Sequence, residues 1–242
     1  TLKRCPSFAV KLRRGAFWFY LEHSEDLPPI QQDVGNPCVR MRIKENNGFA
    51  LRVRYYRCRI AVEFFHVLAD GTGGLIFLET LVAEYLRIRY GASIPAGPHI
   101  LDPDEAPKPG ETEDSFTVHS GQFAQSRKES KAYHVYGTDE TDGFIHITTG
   151  AMPVRDLLEK SREKGVSVTE YLTAVLILSV DAIQRRSVLP PKWYKPVKIC
   201  VPVNLRRFYP STTLRNFSNY VNPGIDPRLG AYTFDETLQI VH

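Results

Sequence analysis

The sequence has no apolar run long enough to cross a membrane. Its longest, YLTAVLILSV at Tyr171–Val180, is far shorter than the roughly 20 residues of a spanning helix. The first residues, TLKRCPSFAV, lack the apolar region and small-residue cleavage site of a secretory signal. With 43% hydrophobic and 24% charged residues, the composition is that of a globular protein. We therefore expect a cytoplasmic protein without a membrane span.

Cysteine is scarce, and its spacing excludes the usual cysteine-based frameworks. The chain has four cysteines and no Cys-x-x-Cys pair: Cys5, Cys38, Cys58 and Cys200. A disulfide scaffold or a structural zinc site needs a denser and more regular pattern. The expectation is reduced thiols and no bound metal.

A concentrated basic stripe is also absent, although the net charge is +4. Four arginines, at positions 52, 54, 57 and 59, fall in a region with the composition of a strand. Nucleic-acid binding requires lysines and arginines gathered on one face. We predict instead that these arginines lie on a solvated sheet face, and that nucleic acid is not a partner.

The order of apolar patterns predicts an α/β fold in two parts. Alternating residues indicate strands over 46–56 and 57–66, and a helical stripe over 74–90 follows, formed by Leu75, Leu78, Val82, Tyr85 and Leu86. Residues 91–143 are rich in proline, glycine and acidic residues, which predicts loops with a possible short helix near 123–131. We place a first domain at 1–142 and a second at 143–242.

The second part has its own succession of elements. We expect a strand near 143–150, helices over 153–165 and 167–186, a β-rich run over 196–205, and a helix beginning near residue 235. Ser167 and Glu170 fit a capping box, and the apolar interior of the helix that follows predicts deep burial. Both ends of the sequence look cut, so we expect a piece of a longer protein.

The stretch EFFHVLADGTGGLIF, from Glu63 to Phe77, concentrates the candidate chemistry. A dinucleotide cradle is disfavoured because Ile76 stands where the third glycine is needed, and the lysine of a phosphate-binding loop is absent. A metal site is disfavoured because two ligands, His66 and Asp70, are too few. His66 could simply be a buried residue at a strand end, with Asp70 capping the next helix. Alternatively, His66 is a general base and Asp70 pairs with Arg206 to hold the turn.

Four segments, taken together, resemble the chloramphenicol-acetyltransferase-like superfamily. FFHVLADGTGG is similar to its His-x-x-x-Asp-Gly motif, and VPVNLRRFYPSTTLRNFSNYV to the segment with its structural arginine and an Asn-containing strand. TLKRCPSFAVKL resembles the end of its first helix and the next strand, and VSVTEYLTAVLILSV the helix that opens its second lobe. The resemblance extends over nearly the whole chain and is greatest to bacterial alcohol-acetyltransferase-like proteins; the superfamily also includes condensation domains.

The resemblance implies a two-lobe acyltransferase whose second lobe is incomplete in this chain. His66 would be the general base, supported by Asp70, Gly71 and Arg206, and Phe65, Asn216 and Asn219 would line a substrate tunnel. The co-substrate would be acyl-CoA, the acceptor a small alcohol or amine, and an acyl carrier protein a possible partner. No covalent acyl-enzyme is implied, which agrees with the absence of Gly-x-Ser-x-Gly.

Two departures from the superfamily's patterns narrow this expectation. Phe65 stands where condensation domains usually have a first histidine, which favours simple acyl transfer over peptide-bond formation. The Asp-Phe-Gly-Trp-Gly motif of the plant members is missing. A non-catalytic binding or scaffold protein with the same fold remains the competing interpretation.

Overall fold

The computed structural model describes residues 1–34, 41–121, 129–141, 145–187 and 190–242. Its helices are α1 (Gly71–Tyr90), α2 (Pro109–Thr112), α3 (Ser115–His119), α4 (Val154–Glu163), α5 (Val168–Arg185) and α6 (Phe234–Val241). Its strands are β1 (Val10–Arg14), β2 (Phe19–His23), β3 (Ile30–Gln32), β4 (Leu51–Tyr56), β5 (Arg59–Phe64), β6 (Val197–Lys198), β7 (Val201–Asn204), β8 (Ser218–Val221) and β9 (Gly224–Ile225). The predicted mixture of helices and sheets is confirmed. Cys38 and most of the helix expected near 123–131 lie outside the described residues.

The chain divides into two compact units. The first contains Thr1–Gln122, Thr141–Ile145 and Asn204–Ser218, and the second contains Phe123–Glu140, His146–Val203 and Asn219–His242. The segment 204–218 thus belongs to the first unit although it lies far beyond the expected boundary at 142/143. The residues at that boundary are outside the described ranges.

The sheets of the first unit are built from hairpins. β1 pairs with β2, and β4 pairs antiparallel with β5 while β3 adds to β4 in parallel. The expected solvated arginine face is wrong for Arg52 and Arg54. Arg52 is only 7% exposed and pairs across the strands with Glu63, and Arg54 lies within 3.5 Å of carboxylate oxygens of Asp33 and Glu63. Acidic side chains in the sheet and directly after β3 neutralise this charge, because a buried arginine needs a partner.

Helix α1 begins three residues earlier than predicted and turns a different face inward. Its buried residues include Gly73, Phe77 and Thr80, whereas Leu75 and Tyr85 of the predicted stripe are 45% and 46% exposed. Glycines at the first turn let the helix approach neighbouring chain closely, and that approach decides which face is buried. The helix ends at Tyr90, and Gly91 caps it with a φ of 64°, which suits glycine.

One hydrophobic core holds the first unit together. Phe8 stacks on Phe77 of α1 with ring centroids 4.5 Å apart, and it meets Phe64 of β5 edge to face. Buried residues from four regions of sequence complete the cluster: Cys5, Ala50, Leu51, Leu68, Ala69 and Leu214. Leu68 and Ala69 anchor the stretch after β5 in this core, which fixes the end of the turn that carries His66.

The segment 204–218 is fastened to the region around α2. The Leu214 N–H donates to the Glu111 carbonyl at 2.8 Å, and the Thr213 hydroxyl donates to the Glu113 carbonyl at 2.7 Å. Glu111 itself forms a buried two-pronged pair with Arg4, which is 2% exposed. These contacts carry the late segment into the first unit, as its backbone donors must find partners when buried.

The second unit confirms four expected elements and corrects two expectations. Helices α4, α5 and α6 form, and the β-rich run becomes β6 and β7. The capping box of Ser167 and Glu170 is present, but α5 is not deeply buried along its length, since Leu176 is 49% exposed. Residues 145–150 form no strand, and Ile147 is 62% exposed. Within the described residues no single helix could cross a membrane; α4 and α5 pass that test only as a pair bent by 87°.

Candidate functional site

His66 lies at the exposed tip of a tight turn after β5. The strand ends at Phe64, the Phe65 N–H donates to the Ala50 carbonyl, and the Leu68 N–H closes the turn on the Phe65 carbonyl at 2.9 Å. His66 therefore does not continue the strand, and the alternative of a buried strand-end histidine is wrong. Its imidazole has no hydrogen-bond partner among the described residues, so both ring nitrogens can meet a ligand.

Asp70 fixes the other end of this turn with both carboxylate oxygens. Oδ1 accepts from the backbone N–H groups of Thr72 and Gly73, each at 3.1 Å, and so caps α1. Oδ2 accepts from Arg206 Nη1 at 2.5 Å and from the Phe217 N–H at 2.9 Å. The carboxylate is thus fully occupied within the protein, which makes Asp70 a support for the turn.

The same contacts set the charge of Asp70. Burial by itself raises the pKa of the carboxyl group, but the hydrogen bonds from Arg206, Phe217 and Gly73 outweigh it and leave the pKa lowered. The side chains of Asp70 and Arg206 are 6% and 11% exposed. The pair therefore stays ionised in a place with little water, where charge-assisted hydrogen bonds are strong.

Arg206 joins the turn to the late segment of the chain. Besides Asp70, its guanidinium donates to the carbonyl of Thr213 at 2.8 Å and to the carbonyl of Arg215 at 2.7 Å. Asn204 accepts from the Arg206 backbone N–H through Oδ1 and donates to the Thr72 hydroxyl at 3.2 Å. The structure thus has the Asp70–Arg206 contact that the resemblance implies.

The glycines after Asp70 differ in what surrounds them. A Cβ atom on Gly73 would lie 2.0 Å from the Leu214 carbonyl oxygen, and one on Gly74 would lie 1.9 Å from the Phe64 ring. A Cβ atom on Gly71 would meet nothing within 4 Å. The protein's own packing therefore requires Gly73 and Gly74, while a role for Gly71 in leaving room for substrate stays a prediction.

The three residues predicted to line a tunnel have different surroundings. The Phe65 ring is 52% exposed beside His66. Asn216 uses its side-chain oxygen to accept from the Ser218 hydroxyl at 2.8 Å. Asn219 belongs to the second unit, where its side-chain oxygen accepts from the next N–H. Phe65 and Asn216 are thus in the first unit with His66, and a tunnel that includes all three residues stays a prediction.

Metal ligands do not gather anywhere in the described part of the chain. No group of three or more His, Cys, Asp or Glu side chains able to hold a metal ion occurs there. His66 and Asp70 are not joined as ligands, because the Asp70 carboxylate is already used by α1, Arg206 and Phe217.

Solved structures with the same fold identify the architecture. Polyketide synthase associated protein 5 from Mycobacterium tuberculosis matches with a TM-score of 0.61 and 16% identity, over 99% of this chain and 60% of that chain. The first condensation domain of the CDA synthetase matches with a TM-score of 0.52 and 13% identity, over 99% and 61%. The chain has the chloramphenicol-acetyltransferase-like fold.

A third structure of this fold type agrees with that assignment. SgcC5 from Streptomyces globisporus matches with a TM-score of 0.51 and 14% identity, over 99% of this chain and 59% of that chain. The chain thus spans about 60% of the length of the solved structures that it resembles. No family model matches the chain, and no curated protein matches its sequence.

The sequence did not predict the backbone groups that bind Asp70 and Arg206. The Phe217 N–H and the carbonyls of Thr213 and Arg215 complete the Asp70–Arg206 network, and a backbone group leaves no mark in the sequence. Asn204 could have been found, because Asn two residues before Arg206 suits a side-chain cap of a short helical turn.

Proposed function

We propose that this protein is an acyltransferase in which His66 acts as general base. The observation that carries the proposal is an exposed imidazole, without a partner among the described residues, on a turn held by a buried ion pair. A general base needs a free nitrogen and a fixed position, and positioned proton transfer contributes about 10²–10⁴-fold in rate. The shared fold agrees with a reaction of this class.

The chemistry requires one proton to move twice. A neutral imidazole nitrogen of His66 takes the proton from an acceptor hydroxyl or amine as the oxygen or nitrogen attacks the thioester carbonyl. The new C–O or C–N bond forms, the C–S bond breaks, and the imidazolium returns the proton to the departing thiolate. The acyl group is never bonded to the protein in this scheme.

Asp70 and Arg206 act in this proposal by position. All four hydrogen bonds to the Asp70 carboxylate come from α1, Arg206 and Phe217, so Asp70 does not orient the imidazole directly. Asp70 fixes the turn, because one carboxylate oxygen binds the start of α1 and the other binds Arg206 and Phe217, all within the first unit. We therefore assign proton transfer to His66 alone and geometry to the pair.

The proposed donor is an acyl-CoA, and carrier-bound acyl groups are the alternative. Condensation domains are among the structures with this fold. Phe65 favours simple acyl transfer, since the usual first histidine of those domains is absent. A panel of acyl-CoA thioesters, tested beside acyl groups on a carrier protein, separates the two donors by the substrate that releases thiol.

The test is thiol release by the wild-type protein and by His66→Ala. We expect the substitution to lower kcat by about 10²-fold or more while the circular dichroism spectrum is unchanged. His99→Ala is the matched control, because His99 is another exposed histidine of the first unit, and it should retain wild-type kcat. Full activity of His66→Ala would overturn the mechanism, and no thiol release with any donor would favour a non-catalytic binding protein.

A further inference from the structure

A pocket of about 370 Å³ opens in the first unit beside the turn that carries His66. Val67 and Leu68, the two residues after His66, form part of its wall, together with Val10 and Leu21 of the first hairpin. Small-molecule sites have volumes of about 300–1,000 Å³. The pocket is therefore large enough for a small ligand and adjoins the proposed base along the chain.

The wall of this pocket combines five apolar residues with four polar ones, Ser7, His23, Thr112 and Arg215, and its apolar part is partly uncovered. Leu21 is 37% exposed and Val67 is 48% exposed, whereas Leu68 beneath them is buried in the core of the unit. Covering such side chains with an apolar group removes their surface from water, which is favourable by about 25 cal/mol for each Å². The wall therefore favours a ligand with an apolar body.

One cation at the pocket is left without a strong protein partner. The guanidinium of Arg215 forms no hydrogen bond to a described residue, and its nearest carboxylate, that of Asp114, is 3.9 Å away with both side chains over 40% exposed. The backbone of Arg215 is nevertheless fixed, since its carbonyl accepts from Arg206 and its N–H donates to the Thr213 hydroxyl. A held backbone with an available guanidinium suits an anionic group of a ligand.

The other polar groups near the two cavities differ in what they offer a ligand. The Ser7 hydroxyl has no hydrogen bond within the described part of the chain, but it is buried and has almost no surface open to the pocket. A cavity of about 270 Å³ beside α1 also has an arginine, Arg87, which is paired with Glu84 at 2.7 Å and with Asp104 at 3.0 Å. Arg215 is thus the less constrained of the two arginines.

We propose that the pocket beside His66 binds a molecule with an apolar body and one carboxylate or phosphate, and that Arg215 holds the anionic group. Resting on the proposed function, we infer that this molecule is the acyl acceptor and carries the hydroxyl or amine that His66 deprotonates. The selected acceptors are then small amphiphilic anions, and neutral alcohols of the same size bind less tightly.

The test compares 2-hydroxyoctanoate with octane-1,2-diol, which has the same chain and hydroxyl but no charge. We expect calorimetric titration of the wild-type protein to give about tenfold tighter binding of the anion, as a hydrogen bond to a charged group implies. Arg215→Met should bring the two dissociation constants within about twofold. Arg207→Met, at an exposed arginine of the same segment, should keep the wild-type preference.

Equal binding of the two compounds by the wild-type protein would overturn the proposal, as would an unchanged preference in Arg215→Met. Because the first comparison uses only wild-type protein, it decides even if the variant fails to fold. Thiol release with the same compounds separates the two proposals. Selective binding of the anion with no turnover on any donor would support the proposed pocket and contradict the acyltransferase. Turnover without selective binding would support the acyltransferase and contradict the proposed pocket.

Discussion

Replacing Asp70 by asparagine tests the buried pair that supports the turn. The substitution keeps the shape of the side chain and one oxygen, and asparagine is a good helix cap, so α1 retains its cap. At the position of Oδ2, however, an NH₂ group would face the guanidinium of Arg206 and the N–H of Phe217. Donors then face donors in a place with little water.

The expected cost is about 3 kcal/mol in the free energy of unfolding. Removing one partner of a buried pair costs roughly 3–5 kcal/mol. The lower end applies because Arg206 keeps the carbonyls of Thr213 and Arg215. Asp70→Ala also loses the helix cap, worth about 1 kcal/mol, and should cost about 4 kcal/mol.

Urea denaturation can follow the first unit by itself. The two tryptophans lie in different units, so in a Trp193→Phe background the fluorescence of Trp18 reports the first. Asp114→Asn is the matched control in the same unit, because Asp114 also caps a helix, α3, and lies beside an arginine, Arg215, but with side chains 47% and 42% exposed. It should change stability by at most about 1 kcal/mol. A change below about 1 kcal/mol in Asp70→Asn, with unchanged hydrogen exchange at Gly73 and Phe217, would refute the reasoning.

The pH dependence gives the same interaction a second test. The pKa of Asp70 is lowered in the folded protein, and the unfolded value is about 3.9. The contribution of the Asp70 carboxylate to the free energy of unfolding is therefore complete above the unfolded pKa, and it is lost as the pH falls through the folded pKa. The stability gap between wild type and Asp70→Asn should be constant from about pH 7 to pH 5 and shrink below about pH 4. A gap that grows on acidification would contradict the assignment.

Two further predictions concern packing and thiol chemistry. Gly73→Ala should destabilise the protein by about 2 kcal/mol or more, because its Cβ would lie 2.0 Å from the Leu214 carbonyl oxygen, whereas Gly71→Ala should stay within about 0.5 kcal/mol; equal denaturation midpoints would contradict this. Burial raises the pKa of the Cys5 thiol to about 11. A thiol reagent at pH 8 should therefore label exposed Cys58 faster than buried Cys5, as peptide mass mapping would show. Equal labelling rates at the two cysteines would be the opposite result.

The sequence predicted elements better than it predicted their surroundings. Helix α5 begins where Ser167 and Glu170 predict, because a capping box is a local feature of four residues. The face that α1 buries was mispredicted, since Leu75 is as apolar as the residues that are buried. Which face turns inward depends on the close approach of Gly73 to Leu214, and that contact joins residues far apart in the chain.

The same distinction separates the two halves of the site. His66 and Asp70 stand four residues apart and could be chosen from the sequence. The pairing of Asp70 with Arg206 spans 136 positions, and from the residues alone it was one of two open alternatives until the resemblance favoured it. The prediction of a solvated arginine face failed for the same reason. The four arginines are visible in the sequence, but the sequence does not show that Glu63 lies across the strands from Arg52. Whether a charged residue in a strand has an opposite charge beside it depends on the register of the neighbouring strands.

Arg206 connects the two proposals physically. One guanidinium holds Asp70, at the end of the turn that presents His66, and the carbonyl of Arg215, whose side chain lines the neighbouring pocket. The proposed base and the proposed anion-binding group therefore share a support, although His66 and Arg215 are 149 positions apart in the sequence. Because arginine can donate five hydrogen bonds in a fixed plane, a lysine in its place could not serve both partners with the same geometry. Arg206→Lys should thus weaken proton transfer and anion preference together, while Arg215→Met affects the preference alone.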